Sequence, residues 1–168
     1  YADENINYQP APFGSEFSLI LYNTTVLETI TESLDVLDYR KVQWKRVQYE
    51  LDELKSIAAR PEATYVFAHL DIPHWPYVFD RDGSFVPANV EKEREEKENY
   101  ARQVQYLNNA LPKVIDRILE QSNTPPIIVL QSDHGSASAP LHDHAVVTSQ
   151  GAERDFILRE GMRNFSAI

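Results

Sequence analysis

The chain contains no cysteine. Disulfide frameworks, thiolate zinc sites and a cysteine nucleophile are thereby excluded, and any bound metal must be held by His, Asp or Glu. Cations are scarce: 16 Lys plus Arg stand against 26 Asp plus Glu, for a formal net charge of −10. Such a surface repels phosphate backbones unless its cations cluster, and along this sequence they do not, so no nucleic-acid partner is expected. Long apolar runs are also missing. No stretch approaches the roughly 18–20 apolar residues of a membrane helix, and the N-terminus lacks the basic-then-apolar pattern of a secretory signal. The single methionine is Met162, the chain opens at Tyr1, and it stops on Asn164-Phe-Ser-Ala-Ile168. These features are read as a soluble segment cut from a longer protein.

What is present suits one globular domain: 168 residues, 42% apolar and 25% charged, which excludes disorder, collagen and coiled coil. Residues 1–63 are read as a lead-in and helical segment, and 64–168 as the carboxyl-side part of an α/β domain. Pro10, Pro12 and Gly14 punctuate an aperiodic start, and a helix is plausible over Thr24–Leu37. Over Tyr39–Ala59 the pattern is clear, because Trp44, Val47, Leu51, Leu54 and Ala58 recur at helical steps. Pro61 stops that helix, and Thr64-Tyr-Val-Phe-Ala-His-Leu70 reads as a strand buried on both sides.

The loop from Asp71 to Pro87 is long enough to suggest a role of its own. A helix is expected from about Val90, with charged first turns that include the pairs Glu93–Lys97 and Glu98–Arg102. Its later stripe is Val104, Leu107, Leu111, Val114 and Ile118, and Pro112 should kink it or begin a second helix. Ile127-Ile-Val-Leu-Gln131 reads as a central parallel strand, which would complete a βαβ unit, and Phe165–Ile168 as the opening of another strand.

Ligands of open parallel sheets bind beyond the carboxyl ends of the strands. Both expected strands run into histidines there: His69 and His74 after the first, His134, His142 and His144 after the second. Asp133 and His134 could reach one divalent ion with a carboxylate oxygen and an imidazole nitrogen, or Asp133 could cap the next segment while His134 fills space. His142 and His144 form a possible metal grip or an ordinary polar loop. His74, flanked by Pro73 and Pro76, could hydrogen-bond an anionic oxygen or pass a proton, or be satisfied by a carbonyl. His69 could simply end the strand. Asp80-Arg-Asp-Gly83 is a tight turn and fails as an EF-hand calcium loop, because Val78 occupies the first ligand place.

Three stretches together resemble a known family: Phe67-Ala-His-Leu-Asp-Ile-Pro-His-Trp-Pro-Tyr-Val-Phe-Asp-Arg-Asp-Gly83, then Tyr100, Gln103, Val104, Leu107 and Asn108, then Ile127-Ile-Val-Leu-Gln-Ser-Asp-His-Gly135. Over about Thr64–Ile168 the chain resembles the sulfatase-like branch of the alkaline phosphatase superfamily, and most nearly its bacterial membrane-anchored hydrolases and transferases. The resemblance implies an α/β fold, here part of a three-layer α/β/α sandwich with a mainly parallel sheet. It further implies one divalent metal ion (Zn, Mn, Mg or Ca) held partly by Asp133 and His134, and a phosphate or sulfate ester substrate faced by His74. His69 is a weaker candidate for substrate binding, without a firm counterpart. Localisation follows the family: a membrane-anchored parent with an extracytoplasmic domain.

The family's nucleophile is a Thr, Ser or formylglycine, and no Cys or Ser here stands in a Cys/Ser-x-Pro-x-Arg context. The nucleophile is therefore expected in a missing amino-terminal half of the same domain, leaving the segment alone inactive. A competing reading is a degenerate sulfatase-like module kept for binding or assembly. A third is an unrelated metallohydrolase built on His142, Asp143 and His144.

Overall fold

The computed structural model describes residues 4, 6, 8, 38–133, 135, 151 and 166–168. Its elements are α1 (Tyr39–Ile57), α2 (Ala88–Glu93), α3 (Glu96–Gln121), β1 (Leu130–Gln131) and β2 (Ser166–Ala167). The chain forms two compact units, Tyr1–Ser122 and Asn123–Ile168.

In the first unit α1 begins where the Asp38 carboxylate accepts hydrogen bonds from the Arg40 and Lys41 amides, at 3.0 and 3.4 Å. It buries Gln43, Val47 and Leu51, a stripe at four-residue steps on one face. That face packs against α3, which buries Asn99, Gln103, Leu107 and Val114. Between them lie Ile72, Val78 and Phe79, with Trp44, Leu54, Phe85 and Tyr106 at the margin. The expected stripes of both helices are thus core faces.

The charged helix start differs from expectation. α2 ends after one and a half turns, Arg94 and Glu95 are extended, and α3 then begins afresh. Glu98 does pair with Arg102 at 2.8 Å. Glu93 and Lys97 fall on opposite sides of the break. The break frees Arg94 to reach Asp80 at 2.9 Å and lets the Asn99 amide donate to the Glu91 carbonyl at 2.9 Å. Nor does Pro112 end the helix, for α3 continues through it. Pro112 and Asn108, whose carbonyl loses its intrahelical donor, are both exposed, so solvent can take that bond.

Val78–Val86 folds as a hairpin closed by a Phe79–Phe85 bridge and a Val86 N–H to Val78 carbonyl bond of 3.0 Å. Its tip is the expected tight turn. Gly83 has φ +87°, and an added Cβ would lie 2.8 Å from the Tyr106 ring, which is itself stacked on Phe79 at 4.4 Å. Gly83→Ala is expected to cost about 2 kcal/mol or more, since backbone and ring must both yield. Denaturant unfolding measures it.

Asp80 holds the same turn. It accepts from the Arg94 and Arg102 guanidinium groups, each at 2.9 Å. Burial alone would raise its carboxyl, but the Arg81 amide and the Arg102 and Arg94 side chains outweigh that and hold it below the ordinary aspartate range. The folded value lies below the unfolded one, so this stabilisation is complete above about pH 4 and is lost as pH falls through the lower, folded value. Asp80→Asn is expected to cost about 1–3 kcal/mol at neutral pH and to flatten the acid limb of stability below about pH 4, read by thermal unfolding.

Two expectations about strands are corrected. Residues 64–69 form no regular element and are exposed, with Tyr65 at 90% and Phe67 at 80%, and they pair with no strand among the described residues. A continuous apolar run reports what a segment could bury, while a doubly buried strand also needs neighbours on both sides. In the second unit, only Leu130–Gln131 of the run 127–131 is a strand, Ile127 is 87% exposed, and β1 pairs antiparallel with β2. The described sheet is therefore a two-stranded antiparallel pair rather than part of a parallel βαβ unit. The strand expected near Phe165–Ile168 is present as β2. The helix expected over 24–37 lies outside the described residues.

Candidate active site

The loop from Asp71 to Pro87 is pinned from both helices by side chains that bond its backbone. Gln43 donates to the Asp71 carbonyl at 3.1 Å, and Arg46 pairs with the Asp71 carboxylate at 3.1 Å. Arg40 donates to the carbonyls of Tyr77 and Val86 at 2.9 and 3.1 Å and to the Glu91 carboxylate, whose other oxygen accepts from the Tyr77 amide. The Trp44 indole donates to the Gly83 carbonyl at 2.9 Å.

The central brace is Gln103, fully buried on α3. Its Oε1 accepts from the Val78 and Phe79 amides at 2.9 and 3.1 Å, and its Nε2 donates to the His74 carbonyl at 3.0 Å. One amide thus satisfies three backbone groups and fixes where the loop passes. The sequence reading passed over Gln103 and Arg40 as site supports. The available signal was a long polar residue on a helix face whose next steps are apolar.

On this frame His74 is exposed, between cis Ile72-Pro73 and Trp75-Pro76 peptide bonds. Its Nδ1 lies 2.5 Å from the Trp75 carbonyl oxygen. A carbonyl only accepts, so Nδ1 carries the proton, and in the neutral ring Nε2 holds the lone pair. That nitrogen can take up a proton and, once protonated, donate to an anionic oxygen. The alternative of a histidine satisfied by a carbonyl therefore accounts for one ring nitrogen and leaves the other for chemistry. Below it, the Tyr77 hydroxyl is pushed up to about 12 by burial first and then by Glu96, to which it donates at 3.3 Å. It is a structural donor at neutral pH.

The remaining candidates lie elsewhere. His69 sits on the exposed, irregular run 64–69 with no hydrogen-bond partner among the described residues. Asp133 is exposed on a bend in the second unit, and His134, His142 and His144 lie outside the described residues. Among the described residues, no three His, Asp or Glu side chains gather to hold a metal ion. Asp133 and His134 suit a divalent ion by donor type, yet they supply two of the three or more protein ligands that such centres use.

The sulfatase family model matches residues 3–160. The chain belongs to the sulfatase family. No curated protein and no solved structure matches it. Membership in the sulfatase family carries an alkaline phosphatase-like α/β fold and, at family level, hydrolase activity of the sulfatase type. The match takes in α1 as well as the hairpin and α3, so it extends well upstream of Thr64, where the sequence resemblance began. No helix among the described residues is long and apolar enough to cross a membrane.

Proposed function

We propose that this sulfatase-family chain is part of a metal-dependent hydrolase or transferase of sulfate or phosphate esters, with His74 facing the transferred group. The observation that carries the reading is the braced, exposed His74 with its Nδ1 proton engaged and its Nε2 open, in a chain of this family. In the neutral state Nε2 can accept a proton from an attacking hydroxyl, and in the charged state it can hold an ester oxygen. His69 is assigned a lesser part in substrate binding.

Asp133 and His134 are proposed as ligands of one divalent ion, which when bound would draw charge from the ester oxygens. The rest of the ligand set, the hydroxyl nucleophile and the completion of a three-layer sandwich are assigned to a further part of the same domain. A membrane-anchored parent with this domain outside the cytoplasm belongs to the same proposal.

A second reading is a non-catalytic module of sulfatase type kept for binding or assembly. One experiment separates the two. The full-length protein is assayed for release of sulfate and of phosphate from model aryl esters, with and without divalent metal. Metal-dependent release of either supports the enzyme, and stable metal-independent folding without release of either supports the module.

A further inference from the structure

Where α1 packs on α3, a groove stays open beside the hairpin tip, with a volume of about 620 Å³, inside the ~300–1,000 Å³ range of ligand pockets. α1 lines it with Gln48, Leu51, Asp52 and Lys55, the residues of one helix face. α3 answers with Tyr106, Asn109, Ala110 and Lys113 at the same spacing, together with Val114. None of the side chains that bond the backbone around His74 is among the walls. Leu51 and Val114 are each 3% exposed and belong to the core, so the groove has an apolar base.

Its rim is charged, and the charges are unevenly spent. Lys55 and Asp52 neutralise each other at 2.7 Å. Asp82, at the hairpin tip, is taken up by the Ser84 amide and hydroxyl at 3.0 and 2.6 Å. Arg81 and Lys113 are exposed, and neither side chain has an ion pair or hydrogen bond among the described residues. The groove is thus net positive in a chain whose formal net charge is −10. Burial, and then the charge of Asp52, raise the Tyr106 hydroxyl, so it keeps its proton at neutral pH. That hydroxyl has no acceptor among the described residues and is not sealed from solvent.

These charges discriminate between ligands. A cation would meet Arg81 and Lys113. A phosphate dianion would pair with both but also face Asp52 and Asp82. A neutral apolar molecule would cover the base and gain nothing from either cation. A single carboxylate matches the planar Arg81 fork, Lys113 adds a point charge, and an attached apolar body covers the base.

We propose that the groove between α1 and α3 binds a small amphipathic monocarboxylate, its head on Arg81 and Lys113 with the Tyr106 hydroxyl as a further donor, and its apolar body on Leu51, Ala110 and Val114. The site is separate from His74 and takes part in no step of the chemistry proposed there. A ligand held by both helices and the hairpin tip stabilises the first unit by mass action.

The test is binding, which needs no turnover. Phenylacetate, benzoate and octanoate are titrated into the full-length protein at low salt, while NMR follows the Ala110 and Val114 methyl groups and the Asn109 side-chain amide. These signals are expected to shift saturably with at least one carboxylate. The Val86 methyl groups, buried outside the groove, should stay in place. Phenylacetamide, the uncharged analogue of phenylacetate, should bind at least about tenfold more weakly. Arg81→Gln and Lys113→Gln, both at exposed positions, should leave thermal unfolding nearly unchanged. Each should weaken the carboxylate at least about threefold, and the double variant at least about tenfold.

No saturable shift with any of the three carboxylates overturns the site. Equal binding of phenylacetamide, or unweakened binding by the folded double variant, overturns the charged head. Stronger binding of phenethylamine or of inorganic sulfate at the same signals makes the groove a cation or small-anion site and overturns the proposal as well. Ester release, present or absent, bears only on the reaction proposed for His74.

Discussion

Replacing Gln103 with leucine should destabilise the first unit by about 3–6 kcal/mol. Leucine fills a similar volume, so lost packing contributes little. The cost arises because the Val78 and Phe79 amides and the His74 carbonyl lose their partner at once. An unsatisfied buried backbone group costs about 1–3 kcal/mol, and two of these three belong to fully buried residues. Gln103→Glu is the informative companion. It keeps the acceptor for Val78 and Phe79 but replaces the donor to His74 with a buried negative oxygen. Denaturant unfolding should rank wild type above both variants. Hydrogen exchange at the Val78 and Phe79 amides should accelerate strongly in the leucine variant and less in the glutamate variant. Equal exchange in all three would mean that Gln103 does not hold the loop.

The second large effect falls on chemistry. His74→Ala in the full-length protein should lower ester turnover by about 10²–10⁴-fold, the usual contribution of a positioned acid or base. Stability should change by less than about 0.5 kcal/mol, because the side chain is exposed and its one ring bond is to the adjacent residue. His74→Gln is a useful control. Its amide can donate to an anionic oxygen but cannot take up a proton, so a rescue by glutamine would assign His74 to binding, and a loss matching alanine would assign it to proton transfer. A fall in turnover that tracks a fall in stability would instead make His74 structural.

How far the sequence revealed this molecule depended on the range of the interaction involved. Helical stripes are local, and Val47, Leu51, Leu107 and Val114 announced both packed helices. The Asp80–Gly83 turn was equally legible, because a glycine at a positive φ is a local requirement. The break at Arg94–Glu95 was not, since it depends on Arg94 reaching Asp80 and on Asn99 bonding the Glu91 carbonyl. Gln103 was visible within a familiar pattern, but its role depends on backbone groups some 25 residues away. Residues 64–69 show the converse: composition marked a segment fit for burial, and only a neighbouring strand can bury it. At the site, the type of side chain at His74 was read from the sequence, whereas the brace beneath it and the fixed Nδ1 proton came from geometry.

The central claim is that His74 meets the transferred group through its Nε2. Nitrogen-15 NMR of the full-length protein, titrated with inorganic sulfate and with phosphate, tests this most directly. The His74 Nε2 signal should shift saturably with at least one of the two anions while Nδ1 keeps its proton. A Nε2 signal that neither anion moves would contradict the claim.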